Sequence, residues 1–127
     1  MIKKYSLKQN GNLKLSENLK VKEFACKDGS DIIYIDTELV KILQKVRNRS
    51  NKQVKIISGY RTENYNKKMD CVKNSYYLKG QATDIQIKGI SPVIVGHVAS
   101  RYGANGIEVY NSFTHIDTRK NNSYWIG

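Results

Sequence analysis

The chain has 127 residues, 39% hydrophobic and 26% charged, the size of one compact domain that can bury a core without disulfide staples. One proline and nine glycines exclude a collagen-like or proline-rich linker class. The formal net charge of +11 and a pI near 9.7 point to polyanionic partners (nucleic acid, acidic membrane surfaces or anionic cell-wall polymers), unless the charge serves solubility alone.

Residues 1–14 are polar and Lys/Asn-rich and read as an extended N-terminal arm. It leads into LSENLKVKEFAC, where Ser16 is placed to cap a short helical turn. The same stretch lacks the uninterrupted apolar run of a secretory signal. No segment reaches the roughly 20 apolar residues of a membrane span. The expectation is a protein made in the cytoplasm that meets an external target only if released. CKDGSD is a turn by composition, and the apolar run at residues 32–35 reads as a strand.

A helix begins at Asp36, with Thr37 and Glu38 completing a capping and acidic N-terminal signal. Leu39, Val40, Leu43 and Val46 make its apolar face, Arg47 and Arg49 suit its last turn, and Asn51-Lys52 breaks it. Residues 54–58 form a strand ending at Gly59, 63–68 a short helix, 70–80 a loop and 82–87 an alternating strand. Ser91-Pro92 opens a second helix that stops at Gly103. Residues 106–110 and 113–118 form a hairpin around Asn111-Ser112, and the tail KNNSYWIG packs back through Trp125. The pattern is α+β: a small, mostly antiparallel sheet with helices on one side. The two cysteines, Cys26 and Cys71, form no CxxC pair. They read as small buried hydrophobes, and their disulfide state is left open.

The chemistry concentrates in THIDT, residues 114–118. Alternation puts His115 and Asp117 on one face of a strand, with Arg119 following if the strand continues. Asp84 shares a face with Ala82 and Gln86 in the strand 82–87. If the two strands are neighbours, a carboxylate and an imidazole converge. That pair is two-thirds of a catalytic zinc shell, although an HxD pair in a strand is more often a satisfied polar contact.

From Leu15 to Gly127 the chain resembles the peptidase M15 family of zinc D-alanyl-D-alanine carboxypeptidases and L-alanyl-D-glutamate endopeptidases. It is most similar to the small single-domain branch of phages and prophages. The segments that carry the resemblance are LSENLKVKEFACKDG, IDTELVKILQKVRN, VKIISGYRTENYN, NSYYLKGQATDIQIKGISP, GANGIEVY and FTHIDTR, in this order. The resemblance implies one M15-like domain over 15–127. Its expected zinc ligands include Asp84 and His115, with Arg61 holding a substrate carboxylate and Asp117 beside the metal as an orienting or acid–base group. The implied partner is a peptidoglycan stem peptide, with anionic wall polymers favoured by the charge, and the chain is expected to be a monomer.

Within the family pattern S-x-H-x-x-G-x-A-x-D, Ser75, Gly80, Ala82 and Asp84 match, but Tyr77 stands at the first ligand position. A phenol must lose its proton to bind zinc well. Two readings stay open. Tyr77 is an unusual ligand of a weakened enzyme, or it fills the metal cavity of a wall-peptide binding module. Cys71, Glu108 (where the family usually has Gly) and His97 are the other candidates for the missing ligand. A basic nucleic-acid binder is the third reading, and it lacks a helix-turn-helix, zinc-finger or aromatic RNA-binding signature.

Overall fold

The computed structural model describes residues 1–69 and 75–126. Chain order runs β1 (Ile2–Ser6), α1 (Leu7–Asn10), β2 (Lys14–Ser16), β3 (Leu19–Lys20), a 3₁₀ turn at Val21–Phe24, β4 (Ile32–Asp36), α2 (Thr37–Ser50), β5 (Lys55–Ser58) and α3 (Glu63–Lys68). A second 3₁₀ turn at Tyr76–Lys79 then leads to β6 (Ala82–Gln86), α4 (Pro92–Arg101), β7 (Gly106–Val109), β8 (Thr114–Asp117) and β9 (Ser123–Ile126).

The main sheet has five strands in the order β5-β6-β8-β7-β9. Every pairing is antiparallel except β7 with β9, which is parallel. The α+β architecture is therefore the expected one. One face of this sheet is apolar: Ile85, Ile107, Val109 and Ile116 are buried against α4, which in turn packs on α2. Each such isoleucine contributes about 1.5–3 kcal/mol by leaving water. The periodicity of α2 holds, with Leu39, Val40, Ile42, Leu43 and Val46 buried, Asp36 capping Glu38 N and Asn51 in the left-handed region at φ 53°.

Two local expectations change, and the tail, whose Trp125 side chain lies outside what the structure describes, gains a strand. Ser16 caps no turn. It lies in β2, and its hydroxyl donates to Gln44 Oε1 at 2.5 Å. Residues 2–6 of the expected arm pair antiparallel with β4, and Tyr5 and Leu7 pack on the core. The tail forms β9, a strand that its polar KNNS start conceals. Cys26 is buried; Cys71 lies outside the described residues.

Gly80 ends the second 3₁₀ turn at φ +72°, and a Cβ there would fall 2.1 Å from Tyr34 O. The turn is thereby pressed against β4, with Asp36 N donating to Gly80 O at 2.9 Å. Gly80→Ala combines backbone strain with a backbone clash. It is expected to lower unfolding free energy by about 2–4 kcal/mol, measured by urea titration. A change below about 0.5 kcal/mol would show that the turn adapts.

Candidate functional site

The second face of the sheet is polar. Register places Asp84 opposite His115 and Ala82 opposite Asp117 across β6 and β8. Glu108 lies opposite His115, and Gly106 opposite Asp117, across β7 and β8. Ser58 of β5 lies opposite Asp84. Because side chains alternate, Asp84, His115, Asp117 and Glu108 share this face. Gly106 leaves room for the carboxylate, since a Cβ there would sit 2.1 Å from Asp117 Oδ1.

Tyr77 is brought over this face by the 3₁₀ turn. Ser75 Oγ accepts from Tyr77 N at 3.2 Å, and Tyr77 O accepts from Arg61 N at 3.2 Å. The phenol then reaches down between the two strands. Its hydroxyl donates to Asp84 Oδ1 at 2.5 Å and lies 2.7 Å from His115 Nδ1. His115 Nδ1 is itself 3.2 Å from Asp84 Oδ1. The other ring nitrogen, Nε2, is 2.7 Å from Asp117 Oδ2. Asp117 is fully buried and also accepts from Arg119, through Nε at 2.8 Å and Nη2 at 2.6 Å.

One proton arrangement satisfies these contacts together with the carboxylates charged: the phenol donates to Asp84, Nδ1–H donates to the phenol oxygen, and Nε2–H donates to the Asp117 carboxylate. In that arrangement His115 is an imidazolium. Burial alone would lower its pKa, but the hydrogen bonds to Asp117 and Asp84 outweigh burial and push it up to about 9. Burial would raise Asp117, yet the bonds from Arg119 and His115 hold it well below the usual carboxylate range. Burial, with the Asp84 charge and hydrogen bond, drives the Tyr77 phenol far above its ordinary value. Tyr77 is a neutral hydroxyl at any physiological pH.

This donor set does not fit the zinc that the resemblance implies. The two atoms that would face a metal, Asp84 Oδ1 and His115 Nδ1, both address the phenol oxygen. That oxygen resists the deprotonation a ligand needs. Among the described residues, no three His, Cys, Asp or Glu side chains are grouped to share an ion. No buried side-chain polar atom among them is left without a partner.

The remaining expected residues divide. Arg61 is 6% exposed. Its guanidinium stacks 3.8 Å from the Tyr77 ring centroid, donates from Nε to Ser58 Oγ at 3.1 Å and lies 3.7 Å from Asp84 Oδ2. Glu108 reaches the site face as the partner of His115 and acts electrostatically on Arg119. His97 is exposed on α4, remote from this face. Cys71 lies outside the described residues. Sequence reasoning missed the clamp that Arg119 places on Asp117, although the two-residue spacing already put both on one face. It also missed Tyr76, whose ring Arg119 covers at 5.0 Å.

Comparison with known proteins agrees with this arrangement of segments. A family model, Peptidase M15, matches residues 12–117. The peptidoglycan L,D-endopeptidase MepK of Escherichia coli K12 is 37% identical over 76 residues, covering 54% of this chain and 42% of the relative. The probable peptidoglycan L,D-endopeptidase MepK of Haemophilus influenzae is 32% identical over 75 residues, covering 54% of this chain and 40% of the relative. The chain thus spans about two-fifths of the length of these curated relatives. With the family match running through both the Tyr77 turn and the His115 strand, the chain belongs to the peptidase M15 family.

Proposed function

We propose that this protein is a peptidoglycan-directed M15 module that binds wall stem peptides without hydrolysing them. The observation that carries this reading is the position of the Tyr77 hydroxyl, 2.5 Å from Asp84 and 2.7 Å from His115. The family is generally zinc-dependent. Here a neutral phenol stands between the two side chains expected to hold that metal. The supporting features are the peptidoglycan-acting relatives and a net charge of +11 that favours anionic wall polymers. His115, held as an imidazolium between two carboxylates, has no lone pair to offer as a base or ligand. Arg61 is engaged inside the cluster and supports Tyr77 rather than reaching outward.

The test uses purified sacculi. Native protein is expected to sediment with them while releasing no soluble peptide above the buffer control, followed by mass spectrometry of the supernatant. Protein-dependent release of stem-peptide fragments would establish hydrolysis instead, and failure to sediment would remove the wall as the target.

A further inference from the structure

Beside the buried cluster, where β8 ends, lies a separate pocket of about 470 Å³. Tyr76, Lys79, Gln81, Arg119, Lys120 and Asn122 contribute to its wall. We infer that this pocket receives the carboxylate of a bound wall peptide, a role that rests on the wall-peptide reading above and supplies the anion contact that Arg61 does not offer.

The charge pattern is one-sided. No Asp or Glu is among the described residues lining the pocket, whereas three cations are. Two of them pack on the Tyr76 ring: Lys79 Nζ lies 5.6 Å and Arg119 Cζ 5.0 Å from its centroid. A pocket lined by cations and no carboxylate attracts an anion. Asp117, and Glu108 across the sheet, act on Arg119 from behind. Among the described residues, the charge without a paired carboxylate is therefore that of Lys79 and Lys120, both exposed. The amides of Gln81 and Asn122 add neutral donors for an oxyanion. The volume suits the end of a short peptide.

Its position also suits a peptide laid on the site face. Tyr76 is the neighbour of Tyr77, and Arg119 is clamped by the same Asp117 that holds His115 at 2.7 Å. A small oxyanion is the shared chemistry. A stem-peptide carboxylate is the source argued here, and phosphate is the rival source.

The experiment titrates the native protein with the stem tetrapeptide L-Ala-γ-D-Glu-L-Lys-D-Ala, with its fully amidated form, and with inorganic phosphate. Amide ¹H–¹⁵N shifts report the site. The free-acid peptide is expected to move Lys79, Gln81 and residues 118–123 saturably, and the amidated peptide to bind about tenfold more weakly or worse. The Lys79→Gln, Lys120→Gln double variant should show the same loss for the free acid. Equal binding of acid and amide, shifts centred elsewhere, an unaffected double variant, or phosphate matching the peptide would each overturn the inference. Sacculus retention is scored separately. Retention with no peptide shift at this pocket sinks the pocket alone, whereas peptide binding here without retention sinks the wall target alone.

Discussion

Tyr77→His is expected to convert a chain that retains less than about 0.1 zinc after desalting into one that retains about one. The substitution replaces a phenol that burial and Asp84 keep protonated with an imidazole that ligates in its neutral form. It also removes the hydroxyl that His115 Nδ1 addresses at 2.7 Å, so this nitrogen can turn to a cation once it loses its proton. Uptake should therefore release protons and strengthen as pH rises. Elemental analysis of metal-loaded, desalted native and variant proteins measures the effect. One zinc per native chain would show that Tyr77 or another side chain completes a shell, and the binding-only reading would fail. No zinc in either protein would instead count against Asp84 and His115 as ligand positions.

The second large effect is a pH dependence of stability. The folded pKa of His115, about 9, lies above the ordinary 6.5. The imidazolium therefore contributes stability that is complete below pH 6.5 and is lost as pH rises through 9. The difference corresponds to about 3–4 kcal/mol at about 1.4 kcal/mol per pH unit. Asp117 acts with the opposite sign: its folded pKa is depressed below 3.8, so its contribution is present above that value and fades as pH falls further. Urea unfolding should give greatest stability between about pH 5 and 6.5 and a decline on the alkaline side. The His115 ring-proton shifts, assigned with a His97→Ala variant, should show a midpoint near 9. A midpoint at or below 6.5 would mean that the two carboxylates do not hold the imidazolium. Asp117→Asn should lower the midpoint by about one unit or more, because the ring then loses an anionic acceptor.

Much of this site was legible before any coordinates. The two-residue period of THID put His115 and Asp117 on one face, and the pattern around Gly80 and Asp84 marked Tyr77 as the residue out of place. The apolar face of α2 and its Asp36 cap were equally plain, because helical periodicity and capping are local. What stayed hidden depends on chain segments far apart. The pairing of residues 2–6 with β4 cannot be seen in a lysine-rich arm, and β9 is a parallel partner whose register depends on β7. The engagement of Arg61 with Tyr77 required the turn at Gly80 to be placed against β4. An arginine in SGYRT looks the same whether it faces a substrate or a neighbour. Ser16 shows the limit of cap signals: its hydroxyl had a stronger partner in Gln44, which the local sequence does not reveal.

The enclosure of the charged cluster has a consequence for ionic strength. Asp84, Asp117, Arg61 and His115 are all nearly removed from solvent, so dissolved ions cannot enter between them. Nearly all the described lysines that contribute to the net +11 are exposed, where about 1 M salt shortens the reach of a charge to about 3 Å. Added sodium chloride should therefore weaken the sacculus binding proposed above, and any change in melting temperature should report screened repulsion among the surface lysines rather than a change in the cluster. A single salt series would thus distinguish the enclosed charges from those that stand at the surface.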